Sequence, residues 1–204
     1  MTPARSIDVS QLPDYDVSNH APLYYGQALM AAIELSMFLM LIAMYFYLRL
    51  SVDMWPPPGT QLPHWGAATL GLAALALSCV GSYWASEGAK KNNRRQMLTG
   101  LIANVLLASI WMALRAYQWH NFNFGWSTDA HGSIVWALLF LHTFDVVADL
   151  IFTLVLIVIV ALGDDGPKQR LGVHVDSVVW YALSAIWVPL YIVIYWGPRI
   201  VGAP

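Results

Sequence analysis

Long apolar runs separated by short polar segments dominate the chain: Tyr24 to Leu48, Trp65 to Ala85, Met97 to Ala116, Ser133 to Leu162 and Val178 to Trp196. Crossing a bilayer core as a helix takes about 20 apolar residues, and each run is long enough. None of them alternates as barrel strands do, and hydrocarbon does not tolerate an uncovered backbone, so helices are the spanning form that remains. The pattern predicts an all-α polytopic membrane protein, a five-transmembrane-helix bundle. The connections carry breakers: Trp55-Pro56-Pro57-Pro58-Gly59, the segment Lys90 to Arg95, the segment Phe122 to His131, and Gly163-Asp164-Asp165-Gly166-Pro167. No linker is long enough to divide domains, so residues 1–23 read as an N-terminal segment and 24–204 as one transmembrane unit.

Composition supports lipid as the solvent. Charged residues make up 11% of the chain, against roughly 25% in an average soluble domain, too few to cover a water-facing surface. The formal net charge of -2 gives no basic field for a nucleic acid. Cys79 has no second cysteine to pair with, so neither a disulfide nor a thiolate metal site can form, and it reads as a small core residue. The segment from Met1 to Asn19, with Asp8, Asp14 and Asp16, lacks the basic start and apolar stretch of a cleavable signal, so insertion is expected to begin with the first helix.

Charge then sets orientation. One side holds Arg5, Lys90, Lys91, Arg94, Arg95, Lys168 and Arg170, the other only Arg49, Arg115 and Arg199. By the positive-inside rule the N-terminus is cytoplasmic and the C-terminus external. Tyr24, Tyr25, Trp55, Trp65, Trp119, Trp126, Tyr195 and Trp196 fall near span ends, as interfacial aromatic belts would place them.

Ionisable groups inside spans are the informative ones, because burying them is costly without partners or water. Glu34 lies roughly 15 Å into the first span. It suits either helix association through a hydrogen bond or proton exchange. His142, Asp145 and Asp149, at offsets of three and seven, project from one face of the fourth span, which must meet protein or water. Three ligands on one helix cannot surround an ion, and the interior adds only Glu34, so a polar seam or a partly hydrated relay is preferred to a metal site. A bis-histidine haem needs two interior histidines at matching depth. His142 alone is interior on this reading, with His20, His64, His120, His131 and His174 at span ends or in loops. No phosphate-binding loop follows Gly59. No metal, no cofactor and no catalysis by this chain alone are expected. Lys90, Lys91, Arg94 and Arg95 serve as a topology signal and as a contact for anionic lipid headgroups.

These residues carry a resemblance. The run Ile33-Glu34-Leu35-Ser36-Met37-Phe38-Leu39 resembles the glutamate-bearing helix of subunit III of the haem-copper oxidases, and Trp55-Pro56-Pro57-Pro58-Gly59 resembles the turn that follows it. Trp84-Ala85-Ser86-Glu87-Gly88-Ala89-Lys90 with Arg95-Gln96-Met97-Leu98 is similar to the family's next helix-to-helix loop. Val178-Val179-Trp180 and Ile194-Tyr195-Trp196-Gly197 resemble its last helix. Asp145 stands where the family usually has the second histidine of a His-x-x-His-Val stretch, and Ser177 where it tends to have an aspartate. The resemblance, in the short five-helix bacterial form, implies an accessory subunit of a terminal respiratory oxidase in the bacterial inner membrane, with a periplasmic C-terminus. It implies haem and copper in partner subunits, packing against subunit I and subunit II with a small subunit as a further candidate, bound phospholipid, and support of proton uptake during oxygen reduction. The related subunit of a nitric oxide reductase and a stand-alone transporter or channel subunit are the alternatives; the electron donor, cytochrome c or quinol, stays open.

The orientation has a direct test. A cytoplasm-active reporter inserted between Lys90 and Arg95, and a periplasm-active one fused after Pro204, should both be active; the reversed pattern would overturn the assignment.

Overall fold

The computed structural model describes residues 17, 20–163 and 166–200; most of the N-terminal segment 1–23, and Asp164 and Asp165 of the last connection, lie outside the described residues. Among the described residues five helices are long and apolar enough to cross a membrane: α1 (Pro22–Leu50), α2 (Trp65–Lys90), α3 (Arg94–His120), α4 (Ala130–Leu162) and α5 (Pro167–Tyr191), the last continuing through a π-helical turn, Ile192–Trp196, into Gly197–Ile200. Local chemistry fixes their starts. The side chains of His64, Asn93 and Asp129 accept from the Gly66, Gln96 and Gly132 amides at the heads of α2, α3 and α4. Pro22 and Pro167 sit where a missing N–H costs nothing.

Helix α5 begins well before Val178, where the apolar run starts. Its first turns carry Lys168, Gln169, Arg170, His174 and Asp176, which lower hydropathy without lowering helicity, and His174, Asp176 and Ser177 are buried between helices rather than exposed. Farther along, Pro189 withholds a backbone donor, and the π-helical turn begins three residues later, at Ile192.

Small residues set the packing of α2 on α3. A Cβ at Gly100 would stand 2.7 Å from the Gly81 carbonyl oxygen, and one at Gly81 would stand 2.9 Å from the Asn104 amide nitrogen, so the two backbones touch. Without a hydrophobic force between helices in lipid, such close approach supplies the dispersion that holds them together. The neighbouring face of α2 meets α5 through three rungs. Trp180 Nε1 donates to Ser78 Oγ at 2.8 Å, Ser177 Oγ to the Ser82 carbonyl at 3.0 Å, and Ser86 Oγ lies 2.7 Å from His174 Nδ1. Helix α5 also packs against α1 and α4, which makes it the centre of the bundle. Helix α1 is outermost and fully buries only Phe38 and Tyr45, leaving Leu29, Met30, Ile33 and Met40 exposed.

Two aromatic residues read as interfacial belong to the core. Tyr195 is fully buried, and Trp55 is folded inward, with Nε1 donating to Tyr45 Oη at 2.9 Å. Each ring has a polar atom that finds a partner inside the bundle, which removes its reason to seek the headgroup region. Tyr25, Trp65 and Trp126 are exposed.

Replacing Gly100 by Ala should lower the thermal unfolding midpoint in detergent, at a cost of about 1–3 kcal/mol from overpacking. Gly26→Ala is the matched control, since no atom lies within 4 Å of its added Cβ. Equal midpoints for the two variants would contradict the close approach of α2 and α3.

Candidate functional site

Helices α1, α4 and α5 border an open pocket of about 220 Å³, and four carboxyl side chains line it: Glu34 from α1, Asp145 and Asp149 from α4, and Asp176 from α5. Asp145 and Asp149 share a face because they stand one turn apart. Asp176 reaches them because the short connection after α4 returns α5 alongside it. Thr153 Oγ1 lies 3.0 Å from both Asp176 Oδ1 and the Asp149 carbonyl oxygen, and its single proton can serve only one of them fully. Glu34 Oε2, Asp145 Oδ2, Asp149 Oδ2 and Asp176 Oδ2 are buried and have no hydrogen-bond partner among the described residues. None of the lining residues is basic. Four carboxylates around so small a space repel one another, so the arrangement favours sharing protons, and the volume holds several waters that could carry them.

The structure divides the stripe of His142, Asp145 and Asp149 along its length. Asp145 and Asp149 face the cavity, whereas His142, a turn and more away, is fully buried with Nε2 3.0 Å from the Leu183 carbonyl oxygen. Its ring centroid lies 5.5 Å from that of Trp111 and 5.2 Å from that of Trp187. This histidine donates to a backbone carbonyl within an aromatic core. It is not the only interior one. His131 is buried against Trp55 and Phe124, and His174 is buried beside Ser86, because both are carried on helices that begin earlier than the apolar runs do. Among the described residues no group of three or more histidine, cysteine, aspartate or glutamate side chains could hold a metal ion.

Other buried polar groups escaped the sequence reading, Arg115 and Asn104 among them. Arg115, counted there among the charges flanking a span, is fully buried. Its guanidinium carbon lies 4.0 Å from the Trp187 ring centre and 4.9 Å from that of Trp111, and Nη1 donates to Gln118 Oε1 at 3.1 Å. The cation is held by π faces rather than by an acid. Trp111 and Gln118, four residues before and three after, share its helical face, and that spacing is the signal that was available. Asn104 is buried with both amide atoms unpartnered, beside the contact of Gly81 and Gly100.

The sequence matches the model of cytochrome c oxidase subunit III over residues 11–198. The chain belongs to that family. A cytochrome c oxidase subunit 3 from Marchantia polymorpha is 27% identical over 180 residues, 85% of this chain and 68% of the relative. One from Gallus gallus is 26% identical over 180 residues, 85% and 69%, and one from Homo sapiens is 25% identical over 200 residues, 93% and 76%. The resemblance drawn from five ordered motifs is thereby borne out, and with it the assignment to a haem-copper oxidase subunit III in a membrane.

In this subunit III the basic segment between α2 and α3 is only partly free. Lys90 and Lys91 pair with Glu87 at 3.1 and 3.6 Å. Arg94 donates to the Val160 and Ala161 carbonyls at 2.9 and 2.7 Å, which closes the end of α4 where carbonyls lack partners. Arg95 is exposed.

Proposed function

We propose that this subunit III packs against the haem- and copper-bearing subunit I of a terminal oxidase in the bacterial inner membrane, and that its carboxyl cavity buffers and delivers protons for oxygen reduction. The convergence of Glu34, Asp145, Asp149 and Asp176 on one cavity carries the reading. With the N-terminus cytoplasmic, Asp176 lies roughly 14 Å from the cytoplasmic start of α5, so the cavity sits in the half of the bundle nearer the proton source. Lys90, Lys91 and Arg95 take anionic lipid headgroups on that same side, while Arg94 joins them with the part of its guanidinium not bound to α4. His142 acts by fixing α4 against α5. Subunit II, with a small subunit as a further candidate, completes the assembly, and the haem and copper belong to partner subunits.

Glu34→Ala should leave the haem spectrum of the complex intact, since no ligand is removed. Sustained turnover should fall several-fold, equivalent to about 1 kcal/mol in the limiting step. The deficit should grow as pH rises from about 6 to about 9, where protons become scarce. Asp149→Leu separates two roles: loss of the subunit on purification would indicate a structural seam, and normal assembly with slowed proton uptake a relay. Parental turnover in both variants across that range would refute the proposal.

A further inference from the structure

The carboxyl pocket is not closed by the described residues. Ala148 and Phe152, which line it from α4, are exposed on the outer surface of the bundle, and Glu34 and Asp145 are half-buried. Asp176 and Asp149, only 1% and 8% exposed, lie deeper. Each of the four acids has one buried oxygen without a hydrogen-bond partner among the described residues, and Gln27 is the one other polar side chain on the lining.

Depth decides what can cover the opening. Glu34 lies roughly 15 Å into α1, and Asp149 roughly 20 Å from the Leu162 end of α4. Headgroups stay at the interface and hydrocarbon supplies no donor, so acids open at this depth have to meet protein or water. Phe144, Ala148 and Phe152 recur every four residues on α4, and all three are exposed. The small side chain between two rings leaves a notch against which a second helix fits. Four orphaned acceptors with no basic lining residue are complementary to a group that brings both several donors and a positive charge. A guanidinium carries five N–H donors and an ammonium three, and ionisable groups inside membranes pair with one another. Water supplies donors but leaves the charge of an ionised acid uncompensated. The pocket's 220 Å³ takes one such head beside a few waters, which occupy about 30 Å³ each.

We propose that a membrane-spanning helix of subunit I lies along Phe144, Ala148 and Phe152 and inserts one arginine or lysine side chain into this pocket, where Asp145 and Asp149 accept from it. Such insertion rests on the reading of the pocket as a proton-handling contact with subunit I, and supplies that contact with its partner group. One cation holds one carboxylate ionised, and the remaining acids keep protons to share. The same ion pair fixes the depth of this chain against its partner.

The test uses the intact complex in native membranes, with a photoreactive benzophenone analogue of phenylalanine at Phe144 or at Phe152. Irradiation should mark one membrane-spanning segment of subunit I from both positions, with an arginine or lysine within about one turn of the marked residues. Replacing that basic residue by glutamine should raise the rate at which this chain leaves the detergent-solubilised complex about tenfold or more. With Asp145→Asn and Asp149→Asn already present, the same replacement should have a much smaller effect, since the pair is then already broken. A marked segment without a basic residue, marking of lipid alone, or an equal effect of the replacement with and without the two asparagines would each overturn the proposal. None of these readouts is turnover, so failure here is distinguishable from failure of the proton-handling reading, which Glu34→Ala tests by turnover.

Discussion

Three hydrogen-bonded rungs between α2 and α5 hold the arrangement on which everything else depends. Ser78, Ser82 and Ser86 recur every four residues on α2 and meet Trp180, Ser177 and His174 on α5 as the two helices run in opposite directions. Ser78 and Ser86 pair through their hydroxyls and Ser82 through its backbone carbonyl, and in a bilayer these groups have no water to turn to, so losing such a bond is costly. Their small size also lets the backbones approach. The same helix offers Gly81 to α3 one position away from Ser82, so α2 is the strut between the α3 contact and the central helix.

Fixing α5 in depth fixes the chemistry. Asp176 immediately precedes the rung at Ser177, which sets its height opposite Asp149 and Thr153. Leu183 sits two turns on, where its carbonyl meets His142 and divides the aromatic core from the carboxyl cavity. The bundle thus keeps its unpaired acids in one half, and its buried cation, Arg115, in the other, stacked between Trp111 and Trp187. Such separation keeps either group from neutralising the other.

Most of the fold was legible because the bilayer imposes a length on apolar runs that a sequence displays openly. The same signal hid the start of α5, where Lys168, Arg170, His174 and Asp176 interrupt the apolarity although the helix continues. Of the candidate site, Glu34, Asp145 and Asp149 were visible as acids inside spans. Asp176 was not among the candidates, because it stands just ahead of the apolar run. His142 shares an angular face with Asp149 but not a depth, and helical spacing alone does not tell which neighbour each will meet. Arg115 near the end of a span looked like a topology charge. Only the packing of Trp187 from α5 reveals it as core. The serine rungs carry no sequence signature of their own, since a serine in an apolar helix can equally satisfy itself on the preceding turn.

The central claim is that this chain works as a non-redox partner of a haem-copper catalytic subunit. Capture from native membranes through a tag on this chain, followed by an optical spectrum and identification of the co-purifying chains, measures it most directly. Haem bands and a haem-copper subunit I are expected in the eluate, with the colour remaining on the partner subunits once this chain is stripped away. A colourless chain purifying without a haem-bearing partner, or haem that follows the isolated chain, would contradict it.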